Sequence, residues 1–259
     1  MNVAVCVKQV PDPAAPGVLD PATRTLVRGG KLLLDESDAC GVELGLQLVE
    51  AAGGGEVSVV SMGPAGETTG LRNALAMGAD RAILVADEAL RGSDALSTAK
   101  VLARAIARTG ADLVVTATES VDGCTGTVPA QIAELLDLPM VTFARKVRLV
   151  ERTVVAERQT EVGYDEVECP LPALVSVTAG AVEPRYPSFK GIVAAKAKPI
   201  DELTVADLGV PAGGVGWAGS RQRIVQVATA EERTAGAVIE DDGDAHLRIM
   251  ELLEQRGVV

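Results

Sequence analysis

The sequence predicts an α/β protein: a Rossmann-like, doubly wound, mainly parallel sheet with added antiparallel strands and an extended C-terminal arm. Three observations predict it. Up to about Phe143, short β-branched runs alternate with segments whose apolar residues recur at helical spacing, a pattern that yields right-handed βαβ units. From about Arg145 the texture changes to period two in "RKVRLVERTVVAERQTEVGYDEVECPLPALVSVT", which reads as three or four strands, some antiparallel, extending the sheet. After Ile200 the chain is loosely patterned and ends in an acidic linker and one short amphipathic helix. Residues 1–200 are therefore expected to form the α/β domain and residues 201–259 an arm.

Each element follows in order. "NVAVCV" is the first strand, starting almost at residue 1. "SDACGVELGLQLVEAAG" is a helix with Val42, Leu46 and Val49 on one face, Ser37 or Asp38 as its N-cap and Gly53 as its stop. "EVSVVSM" is the second strand, and "ETTGLRNALAMG" a helix ending at Gly78. "RAILVA" is the third strand, followed by an amphipathic helix that ends at Gly110. "DLVVTA" is the fourth, "VPAQIAELLDL" the next helix, and "MVTF" a fifth strand. In such sheets ligands bind beyond the carboxyl ends of the strands, where the strand order reverses. The loops Cys6 to Asp12, Met62 to Ala65 and Ala117 to Thr127 are expected to gather there.

Composition excludes several functions. Hydrophobic residues make up 47% of the 259, ample for a core, but aromatics only 2%. Two Phe, two Tyr and one Trp offer little for stacking on single-stranded nucleic acid. The formal charge of −12 repels a phosphate backbone, so nucleic acid is not an expected partner. The N-terminal apolar run is too short for a signal peptide or a membrane span. Cys6, Cys40, Cys124 and Cys169 are scattered without a CxxC pair and read as reduced thiols of a cytoplasmic protein. His246 is the single histidine and lies far from every cysteine in sequence, so no metal site is expected.

Two segments stand out. "TATESVDGCTGTVPAQIAELL" runs from a strand through a Gly/Ser/Thr loop onto a helix N-terminus, a common phosphate cradle. Backbone N–H groups of Gly123 to Thr127 favour phosphate, and Ser120, Thr125 and Thr127 add neutral hydroxyls. Asp122 repels phosphate, so it pins the loop backbone or a ribose hydroxyl. The loop has no lysine and is not a GxxxxGK[ST] loop. The second segment, about 184–198, holds "EPRYPSFKGIVAAKAK", with two of the chain's four Phe/Tyr residues among basic neighbours. Arg185, Tyr186, Phe189 and Lys190 are candidates for a protein contact.

At this point the chain resembles the β subunit of electron transfer flavoproteins, including the nitrogen-fixation-associated versions. The residues that carry the resemblance are "VAVCVKQVPD", "LRNALAMGADRAILV", "DLVVTATESVDGCTGTVPAQIAELLDLPMVTF", "LPALVSVTAGAVEPRYPSFKGIVAAKAKPID", "DLGV" and "RTAG", in order along the chain. The resemblance implies a heterodimer with an α subunit that mainly holds the redox-active FAD. It implies that this chain is an electron carrier subunit without catalytic residues of its own. It places a structural AMP on Cys6, Asp35, Asp38, Met62 and the loop from Ala117 through Glu119, Ser120, Asp122, Gly123, Cys124, Thr125, Gly126 and Thr127 to Val128. In electron-bifurcating versions a second FAD takes the place of AMP, and the "DG.T" frame of this loop looks somewhat like that branch. The C-terminal arm is implied to wrap the α subunit. Phe189 stands where the family anchors acyl-CoA or related dehydrogenases, from which electrons pass to a downstream quinone oxidoreductase. A reading of another class, an ATP-binding or ATP-hydrolysing stress-protein-like enzyme, shares the fold. It needs a glycine-rich triphosphate loop after the first strand, where this chain has "VKQVPDP".

Overall fold

A computed structural model describes residues 1–15, 17–228, 236 and 238–259. Arg233 to Ala235 of the "RTAG" stretch lie outside the described residues. The chain divides into two compact units, Met1–Ile224 and Val225–Val259.

The first unit opens with β1 (Asn2–Cys6), then β2 (Gln9–Pro11) and β3 (Leu32–Leu34), which pair antiparallel as a two-stranded ribbon. Next come α1 (Glu36–Ala51), β4 (Glu56–Met62), α2 (Thr69–Met77), β5 (Arg81–Val85), α3 (Ala95–Ile106), β6 (Leu113–Ala117) and α4 (Val128–Leu135). The extension follows as β7 (Met140–Val150), β8 (Thr153–Gln159), β9 (Tyr164–Pro170) and β10 (Ala173–Val177). The unit closes with α5 (Phe189–Ala195), β11 (Ile200–Leu203) and the short α6 (Gly216–Gly219).

Nine strands form one sheet in the order β11-β5-β4-β1-β6-β10-β7-β8-β9. All neighbours from β11 to β7 are parallel, and β7-β8-β9 are antiparallel. The architecture is the predicted mainly parallel α/β sheet with antiparallel strands added. The core is Val/Leu/Ala packing in two clusters, one on each sheet face. Val3 and Val5 of β1 turn toward the α1/α2 face, and Ala4 and Cys6 toward the α3/α4 face, as strand alternation requires. Helix α1 approaches β1 closely because Gly41 and Gly45 have no side chain. A Cβ at Gly45 would lie 3.1 Å from Val5 and 3.3 Å from Val3.

The structure corrects four details. The N-cap of α1 is Asp35, not Ser37 or Asp38; its side chain accepts from the Ser37 N–H. The "LPALVSV" strand, β10, does not lie at an edge. It inserts between β6 and β7, and all five of its residues are buried. The "MVTF" strand continues to Val150, turning at Phe143 (φ 57°) so that its first part pairs with β10 and its second with β8. The first unit also reaches beyond residue 200. β11 pairs with β5 as an edge strand, and Val205, Leu208 and Val215 are buried in the α3/α4 core, which holds the chain in place to Ile224.

The second unit contains α7 (Ala245–Gln255), in which Arg248 pairs with Asp242 at 2.5 Å. No residue of α7 is buried, and Leu247, Met250 and Leu252 are each about half exposed.

Candidate functional site

The strand order reverses at β1. β4 and then β5 lie to one side of it, and β6 lies to the other. The exits of β4, β1 and β6 are therefore side by side at the carboxyl edge, as expected for a binding crevice.

Side chains from the β1 exit knit the three loops together. Lys8 Nζ donates to Asp122 Oδ1 at 2.6 Å and to Ser120 Oγ at 3.1 Å, which ties the β1 exit to the β6 loop. Buried Gln9 donates to the Glu67 carbonyl and accepts from the Gly70 N–H, both at 2.7 Å, which ties it to the start of α2 beyond Met62. Arg28 also pairs with Asp122. Lys8 and Arg28 were missed in the sequence because they stand 114 and 94 residues from Asp122. Lys8, only two residues after Cys6, was the legible signal.

Asp35 is fully buried. Besides capping α1 with Oδ1, it accepts from the Val121 N–H through Oδ2 at 2.9 Å. Both oxygens are thus bound to backbone, one in the first turn of α1 and one in the loop after β6. Asp38 is buried and accepts from the Lys8 N–H at 2.6 Å. Burial, and next the nearby Asp35 carboxylate, push its pKa well above the usual carboxylate range. Burial and then Asp38 push the Cys6 thiol far up, so Cys6 is an unreactive wall residue. For Asp122, burial opposes ionisation, but the bonds and charges of Lys8 and Arg28 win and hold its pKa low.

The loop itself divides in two. Gly123 and Cys124 turn their N–H groups back to the Ser120 carbonyl. The N–H groups of Thr125, Gly126 and Thr127 make no hydrogen bond among the described residues, and the Thr127 hydroxyl makes no cap bond to α4. Gln131 Oε1, in the first turn and a half of α4, is buried without a hydrogen-bond partner among the described residues. Gly126 has φ +61°, a left-handed conformation that suits glycine. A Cβ at Gly123 would lie 3.0 Å from Ser120 Oγ and 3.5 Å from Lys8 Nζ. Open donors at a helix start, next to an uncommitted buried acceptor, fit a polar, phosphate-bearing ligand.

Two substitutions test this geometry. Gly126→Val forces a β-branched residue into left-handed backbone, and Gly123→Val crowds Ser120 and Lys8. Each is expected to cost about 1–3 kcal/mol of stability and to lower nucleotide retention. Calorimetric melting and the nucleotide released on denaturation read both effects, and parent-like values in both variants would refute the cradle.

The partner segment lies apart from the crevice. Tyr186 and Phe189 are 92% and 84% exposed, and Ile192 and Val193 are half exposed beside them. Two basic residues of this segment, Arg185 and Lys198, are half-buried and committed to bonds with the rest of the fold. Arg185 Nε bonds Glu43 at 2.6 Å and Nη1 bonds Glu50 at 3.0 Å. Burial raises the Glu43 pKa, but the hydrogen bonds from Arg185 outweigh it and hold Glu43 low. Lys198 Nζ donates to the carbonyls of Leu75, Gly78 and Ala79 at the end of α2.

A mainly parallel, doubly wound sheet whose strand order reverses at β1 defines a Rossmann-like α/β protein. The electron transfer flavoprotein domain matches residues 23–208. The chain is 39% identical over 264 residues to the electron transfer flavoprotein subunit beta of Mycobacterium tuberculosis, covering 100% of this chain and 99% of that one. It is 38% identical over 262 residues to the same subunit of Thermoanaerobacterium thermosaccharolyticum, with 100% of both chains covered. It is 34% identical over 241 residues to the caffeyl-CoA reductase-Etf complex subunit CarD of Acetobacterium woodii, covering 92% of each. The chain belongs to the electron transfer flavoprotein family, and its role is electron transfer within a flavoprotein. Among the described residues no helix is long and apolar enough to cross a membrane.

Proposed function

We propose that this chain acts as the β subunit of a heterodimeric, cytoplasmic electron transfer flavoprotein. In this reading it holds AMP as a structural nucleotide on the Ala117 to Val128 loop, supports an α subunit that carries FAD, and docks acyl-CoA or related dehydrogenases. Electrons then pass to a quinone oxidoreductase or another acceptor. FAD supplies the redox chemistry when bound. The residues of this chain orient the nucleotide and the partners. The observation that carries the nucleotide assignment is the run of uncommitted N–H groups at Thr125, Gly126 and Thr127 where β6 opens onto α4. Asp35 holds the loop through the Val121 N–H and Asp38 holds the Lys8 backbone, and in this reading Cys6, Asp35, Asp38 and Met62 border the nucleotide.

The test is to co-express the chain with its α partner, denature the complex and quantify what is released. One FAD and one AMP per heterodimer is the expected result. Two FAD and no AMP would replace AMP by a second FAD and place the chain with electron-bifurcating relatives, a reading that the "DG.T" frame of the loop supports. A colourless monomer that hydrolyses ATP would overturn both.

The second unit is read as the part of the arm that packs on the α subunit. A lone helix with no buried residue is marginal in water. Protease treatment of the isolated chain is therefore expected to remove residues beyond Ile224 first. The α subunit is expected to protect Leu247, Met250 and Leu253. Equal protection in the isolated chain would sink this assignment.

A further inference from the structure

Glu43, in the middle of α1, is a buried carboxylate with every acceptor in use. Its Oε2 accepts from Arg185 Nε at 2.6 Å and from the Arg185 backbone N–H at 3.2 Å. Its Oε1 accepts from Arg185 Nη2 at 3.0 Å and from Gln47 Nε2 at 2.7 Å. Three of these four bonds come from one residue, 142 positions away in the chain. Two turns further along α1, Glu50 Oε1 takes Arg185 Nη1 at 3.0 Å. One guanidinium fork thus spans two acids of a single helix while the main chain beside it is held by the same carboxylate. The helix cannot shift beneath them. Gly41 and Gly45 flank Glu43, and a Cβ on either would lie 3.4 Å and 3.1 Å from Val5 of β1.

We propose that Glu43 and Arg185 are positioning residues for partner docking, which fix the chain before α5 so that Phe189 stands in one place before a dehydrogenase arrives. The proposal rests on the docking reading above and adds to that site a residue of α1 that no local pattern connects with it. The segment between β10 and α5 has no helix or strand of its own. From residue 182 to 187, the one backbone N–H with a hydrogen bond among the described residues is that of Arg185, on Glu43. Without this pair nothing polar holds the main chain that leads into Phe189. A loop left free must be ordered when the partner binds, and that cost comes out of the affinity. Arg185 itself faces inward to α1, which leaves Tyr186, Phe189, Ile192 and Val193 as the contact surface.

The experiment is a double-mutant cycle on the co-expressed heterodimer, titrated against a fixed acyl-CoA dehydrogenase. Arg185→Met and Glu50→Gln are each made with and without Phe189→Ala. Arg185→Met is expected to raise the KM for the flavoprotein about tenfold, with kcat and the flavin spectrum as in the parent. In the Phe189→Ala background it should add nothing, because no anchor is left to position. Glu50→Gln cuts the exposed arm of the fork and leaves Glu43 fully bonded, so it keeps the test readable if Arg185→Met does not assemble. It is expected to raise KM about twofold in the parent and not at all beside Phe189→Ala. An equal rise with and without Phe189 would assign Arg185 to general stability and overturn the proposal. A parental KM in every assembled Arg185 or Glu50 variant, or a loss of kcat together with bound flavin, would also overturn it. If Phe189→Ala alone leaves KM unchanged, the docking reading itself fails, and the proposal with it. If Phe189→Ala raises KM while the Arg185 and Glu50 variants do not, docking stands and the positioning role falls.

Discussion

Asp35→Ala is expected to destabilise the chain by about 2–3 kcal/mol and to free the loop after β6. The side chain is fully buried and serves two backbone donors, the Ser37 N–H inside the first turn of α1 and the Val121 N–H in the loop. Loss of the helix cap costs about 1 kcal/mol, and an orphaned, partly buried N–H another 1–2 kcal/mol. For a chain of this size each kcal/mol lowers the melting temperature by about 2–4 °C. Asp35→Asn retains one acceptor oxygen and donates with its amide nitrogen, so it can serve only one of the two N–H groups and should fall about midway. Thermal melting reads the stability, and amide hydrogen exchange at Val121 reads the tether. An alanine variant with parental melting and parental protection at Val121 would show that the loop holds its shape without Asp35.

Phe189→Ala is expected to raise the apparent KM of a partner dehydrogenase for the flavoprotein about thirtyfold, on the order of 2 kcal/mol. Phe189 opens α5, capped by Ser188, whose Oγ accepts from the Gly191 N–H at 3.0 Å. The platform beneath it is fixed at three points. Arg185 is bonded to Glu43 and Glu50 of α1, and Lys198 to the end of α2. Gly191 presses on α2 so closely that a Cβ would lie 2.4 Å from the Ala76 carbonyl. An exposed aromatic on a rigid base loses little freedom on binding. Tyr186, Ile192, Val193 and Lys190 supply the surrounding contact and a charge. Steady-state titration of flavoprotein against a fixed dehydrogenase checks it. The flavin spectrum and heterodimer melting should match the parent, because the ring is solvent-facing. An unchanged KM, or bound flavin lost from the variant, would assign Phe189 to the fold.

The legible and illegible parts of this chain separate by the range of the forces involved. β1, β4, β5 and β6 are short β-branched runs between helical segments, and local periodicity suffices to find them. The antiparallel β7–β9 extension follows from period two in the same way. β11 was illegible because "IDEL" is four residues with two acids. It becomes a strand only because β5 leaves an edge to pair with. The cap of α1 was misplaced because "DESD" offers three capping side chains within four residues. The choice fell to Asp35, whose N–H bonds the Lys8 carbonyl and whose Oδ2 reaches Val121.

By itself the sequence determined the fold class, the position of the glycine-bearing loop between β6 and α4, the exposed aromatic segment at Tyr186 and Phe189, and the family. These follow from patterns that repeat within one or two elements, or from motifs read in order along the chain. Only the tertiary structure decided which charges meet. It set Lys8 and Arg28 around Asp122, turned Asp35 into a tether, and committed the half-buried Arg185 and Lys198 to bracing α1 and α2. The physical reason is that a buried or half-buried ionic group must find a partner when water is removed. That partner is chosen by which strand exits lie side by side in the sheet, and no local pattern in the chain records it.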